Sequence, residues 1–381
     1  MSDYDLLQFH AFCLTDTGTR LSQYARAISS RVQDGDVVLD LGTGSGLLAF
    51  LACRAGARRV YAVETSEAIR FGEHLASLAG FADRIEFIQA PSSQLVLPEQ
   101  VDAIVGDIHD TFGLQTSGLA AFFDARDRLL KPSGALIPRA IQLLAAPVDA
   151  PELYARAIDV WIERVQDVDL SPLRPFAVNQ MHAARFDAEN LLAPPGELAV
   201  IDLERSSDLH AGGTVTTAVR RHGTLHGVCG CFVTTLGEAI VMSNVPGDNA
   251  TTNFAQAFFP LSAPVPVSAG DLISIGVDTY DGHVTRWRVD VARPGEPLHA
   301  RFEHSTFGAL PLSVNTLRRS ADDYRPLLTH RGAMERALLD RFDGASSAKD
   351  LEAWLRERFG ELLPSEREAA AFLKAAIERC G

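Results

Sequence analysis

The sequence predicts an α/β chain with an all-β second half: a doubly wound parallel sheet, then an antiparallel barrel or sandwich, then a small helical tail. Three observations predict it. Val37-Val38-Leu39-Asp40-Leu41 carries apolar residues without alternation into Gly42-Thr43-Gly44-Ser45-Gly46, after which Leu47-Leu48-Ala49-Phe50-Leu51-Ala52 reads as helix; this is how a buried parallel strand turns into a helix. From there to Pro138, short apolar strands alternate with helical patterns, as crossover connections require. From Val148 onward, proline and glycine punctuate short alternating runs, which favours antiparallel strands.

The 381 residues suffice for two domains and a tail. A net charge of −14 and a pI of about 5.2, with dispersed basic residues, argue against nucleic acid as the main partner. Five cysteines, an odd number without metal-type pairs of pairs, suggest a reducing compartment, and no metal site is expected. Cys229-Gly230-Cys231 sits in the apolar run Gly227 to Thr234 and reads as small strand residues. The acidic start Met1 to Asp5 lacks an apolar signal core, and no stretch approaches the roughly eighteen apolar residues of a membrane-crossing helix, so a soluble, cytoplasmic protein is expected.

Residues 1–32 read as N-terminal helices: between Tyr4 and Val32, Leu6, Leu7, Phe9, Phe12 and Leu14, then Leu21, Tyr24, Ala25 and Ile28 supply apolar faces. Residues 33–145 form the first domain. Its glycine turn lets backbone approach a ligand closely, and the amides at the following helix start offer donors and positive dipole character. Arg59-Val60-Tyr61-Ala62-Val63-Glu64 is a second strand ending in an acid, where a carboxylate can take two ribose hydroxyls. A dinucleotide fingerprint would need glycine at residue 47, which is Leu, and a phosphate-cradling loop would need a Gly-Lys-Ser/Thr ending that is missing. A helix from Glu67 to Ala79, strands Ile85 to Ile88 and Val101 to Val105, a helix from Leu119 to Leu130 and a strand Gly134 to Ile137 follow. Ligands of such sheets lie beyond the carboxyl ends of the strands. The candidates there are Asp40, Gly42, Thr43, Gly44, Gly46, Glu64 with Thr65, Ser92 with Ser93, and Gly106 onward.

Residues 146–315 carry the short strands Glu197 to Leu203, Gly213 to Arg220, Gly227 to Thr235, Gln256 to Phe259, Asp271 to Asp278 and Thr285 to Val291. Trp161 to Asn190 interrupts them, with Leu170 to Ala183 helical in pattern, and Trp161 itself reads as core. The tail, residues 316–381, follows the linker Arg318 to Asp323. One stripe is Met334, Leu338 and Phe342, stopped at Gly344. Ser347 with Asp350 caps the run Leu351, Trp354, Leu355, Phe359, stopped at Gly360. Ser365 with Glu368 forms a capping box before Phe372, Leu373 and Ile377.

Asp-x-Gly-x-Gly-x-Gly at Asp40 to Gly46, with the ribose acid Glu64 after the next strand, resembles the first motif of class I S-adenosylmethionine-dependent methyltransferases. The order His10, Leu14, Asp16, Arg20, Tyr24 and Ile28 ahead of Val37-Leu39-Asp40-Gly42 is similar to the helical lead-in of protein arginine methyltransferases. The resemblance implies S-adenosylmethionine as cofactor, a Rossmann-like domain over 33–145 and N-terminal helices that close its site. Arg20 would take the cofactor carboxylate with two parallel hydrogen bonds, and Tyr24 would help close the pocket. Aligned through Pro98, Ser92 and Ser93 fall at the adenine edge, Ser93 replacing a glutamate of the family. The family also implies a β-barrel over 146–315 with a dimerisation arm, here residues 161–190, and hence a homodimer.

The pattern breaks at the acceptor. Of the two glutamates that clamp the substrate guanidinium in the family, the first becomes Asp107 and the second Thr116. The Thr-His-Trp loop aligns with Thr252-Asn253-Phe254, judged by Gln256 and Phe258-Phe259, so its histidine becomes Asn253. Both departures lead to the expectation of a non-standard acceptor, a small metabolite or natural product or a peptide side chain. The loop offers Asp107, His109 and Asp110. An in-line displacement at a sulfonium methyl demands positioning and removal of the acceptor's proton; His109 is the candidate general base, Asp107 would orient it or the acceptor while bordering the cofactor, and Asp110 reads as loop decoration. One alternative is an arginine or guanidino methyltransferase in which Asp107 and Asp110 replace the clamp. A second, of another class, is a non-catalytic S-adenosylmethionine-binding scaffold or sensor. In the tail, Leu338 to Phe359 with Asp343-Gly344 looks like the helical half of the winged-helix peptide-recognition modules of ribosomal-peptide tailoring enzymes; a plain helical cap is the expected use, a peptide- or partner-recognition element the other.

Overall fold

The computed structural model describes residues 11, 17–113, 116–248, 252–280, 284–296, 298–311, 313–319 and 321–380. His10, Leu14 and Asp16, with all of the helix expected from Tyr4 as far as residue 16 except Ala11, lie outside the described residues, as do Leu114 and Gln115 at the end of the acceptor loop. The chain divides into two compact units, residues 1–311 and 312–381.

The first unit opens on a π-helical turn, Thr17–Leu21, that runs into the α-helix Ser22–Arg31. Arg20, Tyr24, Ala27 and Ile28 are all buried, as residues three or four apart on one helix face should be together. Five parallel strands follow: β1 (Val37–Leu41), β2 (Arg59–Glu64), β3 (Ile85–Gln89), β4 (Val101–Gly106) and β5 (Leu130–Ile137), in the order β3-β2-β1-β4-β5. The helices between them are Leu47–Ala55, Ile69–Ala79 and Thr116–Leu129. Every residue of β1 is buried, which accounts for its unbroken apolar run. The order reverses between β1 and β4, so the crevice of a doubly wound sheet opens beyond their carboxyl ends. There Leu41 pairs with Gly106, and the glycine turn and Asp107 leave the sheet side by side.

The remaining strands are antiparallel. β6 (Ala140–Val148), β7 (Arg164–Val165), β8 (Val168–Asp169), β9 (His182–Ala184), β10 (Gly196–Asp202), β11 (Ala211–Ala218), β12 (Gly223–Gly237), β13 (Ile240–Ser243), β14 (Gln256–Val267), β15 (Leu272–Tyr280), β16 (Val284–Ala292) and β17 (Leu298–Ser305) make two larger sheets and a small hairpin. One sheet runs β10-β6-β12-β14-β9 with β13 on β12; the other runs β11-β15-β16-β17; β7 pairs with β8. Leu225, Phe259, Ile273, Val289 and Trp287 belong to the core that joins them to the parallel domain.

Three expectations need correction. β6 lies in the antiparallel sheet, paired with β10 and β12, so the change of sheet falls between Ile137 and Ala140 and the boundary expected at 145 runs through a strand. Its apolar residues do not alternate cleanly. Leu170 to Ala183 is not one helix: Pro172 and Pro175 start two short turns, Ser171–Leu173 and Arg174–Ala177, and the chain then extends into β9. A proline favours the first turn and cannot donate in a helix interior. β17 was not anticipated, because its Leu-His-Ala-Arg-Phe-Glu-His-Ser sequence buries little and carries no apolar run.

The second unit holds helices Val314–Arg319, His330–Leu339, Ala348–Phe359 and Glu366–Cys380. The last three close their own core of Met334, Leu338, Leu351, Leu355, Phe372 and Leu373. The expected cap and the expected capping box both form reciprocal pairs: Asp350 N donates to Ser347 Oγ at 3.2 Å while Ser347 N donates back to Asp350, and Ser365 with Glu368 repeats the exchange.

Candidate functional site

The glycine turn is built as its sequence requires. Gly42, Gly44 and Gly46 have φ values of 73°, 53° and 86°, a region that side chains disfavour. Asp40, fully buried at the end of β1, caps the helix that follows: its Oδ2 accepts from the Ala49 amide at 2.9 Å and from the Thr43 hydroxyl at 2.6 Å. Its other oxygen, Oδ1, is buried with no hydrogen-bond partner among the described residues. Burial pushes the Asp40 carboxyl up to about 7, against the lowering pull of Thr43 and Ala49.

Glu64 ends β2 and reaches across to the turn. Its carboxylate accepts from the Gly44 amide at 3.1 Å and from the Thr65 and Ser66 amides at 2.9 Å. Ser92 and Ser93 form a single turn after edge strand β3, where Arg128 holds the Ser92 carbonyl at 2.9 Å. Turn, acid and serines thus line one end of the sheet.

Asp107 follows β4. Its Oδ2 accepts from Arg20 Nη1, so the N-terminal helix and the acceptor loop meet in an ion pair. Its Oδ1 lies 2.8 Å from His109 Nδ1, and His109 Nε2 lies 2.8 Å from Thr234 Oγ1. The His109 side chain is wholly buried, whereas that of Asp107 is 24% exposed. Although burial works against its charge, the hydrogen bond from His109 and the charges of His109 and Arg20 hold the Asp107 carboxyl below the usual range. Asp107 is therefore an anion at neutral pH. Asp110 is partly buried, and its Oδ1 accepts from the Phe112 amide at 2.8 Å.

The loop Thr252-Asn253-Phe254 covers this group. The Phe254 ring lies 5.6 Å from the Arg20 guanidinium and 6.0 Å from the His109 ring, which itself stacks on Phe232 at 5.1 Å. Phe232 and Thr234 were not singled out in the sequence. Strand alternation put them on one face of β12 but could not tell what that face meets, since the partner loop lies more than a hundred residues away in the chain. Thr116 begins the helix after this loop. Cys229 and Cys231 are buried in β12, and Trp161 packs partly buried against the same cluster.

Residues 17–138 match the family described as ribosomal protein L11 methyltransferase, and residues 139–292 match the arginine methyltransferase oligomerization subdomain. Protein arginine N-methyltransferase 6 of Xenopus laevis is 30% identical over 279 residues, covering 69% of this chain and 81% of that protein. The arginine N(omega)-methyltransferase of Streptomyces achromogenes subsp. streptozoticus is 30% identical over 281 residues, covering 72% of this chain and 76% of that protein. Among solved structures, the Trypanosoma brucei PRMT1 enzyme-prozyme heterotetrameric complex with AdoHcy superposes with a TM-score of 0.70 at 22% identity, covering 78% of this chain and 96% of that one. Among the described residues no helix is long and apolar enough to cross a membrane. With its parallel sheet and glycine turn followed by antiparallel sheets, the chain belongs to the protein arginine methyltransferase family and is an S-adenosylmethionine-dependent methyltransferase.

Proposed function

We propose that this enzyme methylates a nitrogen of a guanidino-type cation, held by one carboxylate, Asp107, instead of two. The observation that carries the reading is the state of that carboxylate. It is ionised, partly exposed, and uses one oxygen for His109 and the other for a guanidinium, that of Arg20. A carboxylate offers about four acceptor positions; with the His109 ring, the His109 backbone amide and Arg20 on it, about one remains for an N–H of an acceptor. The names of the relatives from Xenopus and Streptomyces both include arginine N-methylation, which supports the same acceptor class.

The cofactor fits the residues present. Glu64, already fixed by three backbone amides, suits ribose hydroxyls, and the unpartnered Asp40 Oδ1 offers a buried acceptor at the mouth of the glycine turn. Gly42, Thr43, Gly44 and Gly46 shape that turn, Thr65 borders it, Ser92 and Ser93 would edge the adenine, and Arg20 would take the carboxylate. When bound, S-adenosylmethionine supplies an electrophilic methyl on a sulfonium. Asp107 then orients the acceptor nitrogen and offsets its charge. A carboxyl whose pKa is lowered is a better anchor for a cation than a store for the proton released on transfer. His109 has both ring nitrogens engaged and no exposed surface, so it serves through Asp107 as a positioning residue rather than as the base that meets the acceptor.

The test is transfer of radiolabelled methyl from S-adenosylmethionine to free arginine, to an arginine-containing peptide, and to matched histidine and serine peptides. Label on guanidino compounds, abolished in Asp107→Ala with cofactor affinity kept, is the expected result. A second reading, an acceptor outside the guanidino class, is favoured by the loss of the second clamp carboxylate at Thr116 and of the histidine at Asn253; label only on non-guanidino acceptors would establish it and sink the first. No transfer at all despite cofactor binding would leave the scaffold.

A homodimer through the arm is also part of the reading. Ile162, Val165, Val168 and Leu173 expose apolar surface along it, and residues 139–292 match an oligomerization subdomain. Light scattering on the protein and on Ile162→Asp with Val168→Asp tests it: a wild-type monomer would end this part. The tail's use as a peptide grip is tested by deleting residues 312–381, which should then raise KM for a peptide acceptor and leave that for a free one unchanged.

A further inference from the structure

Strand β12 turns toward the Asp107 loop a face that no motif marks. Side chains alternate along a strand, so Gly230, Phe232 and Thr234 share one face and Cys229 and Cys231 the other. Each of the three receives part of the loop. A Cβ at Gly230 would stand 2.7 Å from the Phe112 ring, Phe232 stacks on His109 with centroids 5.1 Å apart, and Thr234 Oγ1 sits 2.8 Å from His109 Nε2.

Thr234 and the His109 side chain are both wholly buried, so no solvent water can stand in for either partner. The ionised Asp107 can only accept, hence His109 Nδ1 carries the proton between them. In the neutral ring Nε2 is then an acceptor, and the Thr234 hydroxyl must donate to it; in the charged ring the same hydroxyl accepts. Threonine, branched at Cβ, holds its hydroxyl in few orientations, and a strand core fixes them further. The order hydroxyl, imidazole, carboxylate is that of a nucleophilic triad, but a hydroxyl sealed in the core reaches no substrate.

We propose that Thr234 is a positioning residue for methyl transfer: from the antiparallel domain, its hydroxyl fixes the ring of His109 and, through it, the direction of Asp107. The proposal rests on the reading of Asp107 as the acceptor's anchor. The charged and titratable groups facing this chain of contacts are Arg20, bonded to Asp107, Tyr24, bonded to the Gly106 carbonyl, and Asp40 at the end of β1.

The test compares Thr234→Val, which keeps shape and removes the hydroxyl, with Thr234→Ser, which restores it. Three quantities are read: kcat with the guanidino acceptor, cofactor affinity by calorimetry, and the ¹⁵N resonances of His109. The expected result for Thr234→Val is a kcat about tenfold lower, cofactor Kd within about twofold of wild type, and a changed ¹⁵N pattern at His109, with all changes reversed in Thr234→Ser. A folded Val variant with wild-type kcat and wild-type ¹⁵N pattern overturns the proposal, as does a Ser variant that behaves like Val. Should the Val variant fail to fold, Ser against Ala under the same ¹⁵N reading decides it, identical patterns overturning it. Failure of the acceptor reading is separate: it appears as wild-type enzyme inactive on guanidino compounds, while the ¹⁵N arm still reports on the ring.

Discussion

Tyr24 donates its hydroxyl proton to the carbonyl of Gly106 across 3.0 Å, tying the N-terminal helix to the last residue of the strand that delivers Asp107. Tyr24 is itself buried, and burial with the nearby Asp107 charge raises its pKa well above the ordinary value, so the phenol stays a donor throughout the physiological range. Because Arg20 lies one turn before it on the same face, this bond sets where the guanidinium stands.

Tyr24→Phe removes the hydroxyl that donates to the Gly106 carbonyl in the core. It should cost about 1–3 kcal/mol of stability and weaken S-adenosylmethionine binding several-fold, because Arg20 loses its register against Asp107. Denaturant unfolding and calorimetry measure the two. Unchanged cofactor affinity in a measurably destabilised variant would break the link between bond and site.

Asp40 yields a pH dependence. A free aspartate titrates near 3.9, and in the fold this one is pushed up to about 7. A raised value means folding favours the protonated form: that contribution is fully present below about pH 4 and is lost as pH rises through about 7. Asp40→Asn, which imitates the protonated form, should therefore gain on wild type as pH rises from about 4 to 7, by a few kcal/mol at most at about 1.4 kcal/mol per pKa unit. Unfolding both proteins in denaturant at several pH values gives the difference. A flat difference across that window would contradict it.

Gly230→Ala places a methyl 2.6 Å from the Phe259 ring and 2.7 Å from the Phe112 ring, both buried. Neither ring has room to yield, since Phe112 and Phe259 already meet edge to face at 5.2 Å. The melting temperature should fall by an amount corresponding to about 1–3 kcal/mol. Turnover should fall further than cofactor affinity, because Phe112 carries the acceptor loop and not the glycine turn. Equal losses in both would show that the loop is not held from β12.

The parallel domain was legible because its signals are local. The unbroken apolar run of β1, the positive-φ glycines and the acid ending β2 all fall between Val37 and Glu64, and in the structure Asp40 takes Thr43 and Ala49 while Glu64 takes the Gly44 amide. Arg20 and Asp107 were each legible as site residues, but their ion pair was not, since it joins segments 87 residues apart. The enclosure of His109 was hidden for the same reason. A histidine beside an aspartate in a loop looks available until Phe232, Thr234 and Phe254 arrive from another domain. Misread elements were those with mixed signals: β6 with its uneven alternation, β17 with its polar sequence, and the proline-broken stretch after Leu170.

The two faces of β12 divide the labour of the antiparallel domain. Cys229 and Cys231 look toward the cluster of Tyr154, Ile158 and Val178, whereas Gly230, Phe232 and Thr234 look toward the loop of Asp107. A lineage altering every second residue of this one ribbon could retool what receives the methyl while donor recognition, written on the opposite bank of the crevice, stays untouched.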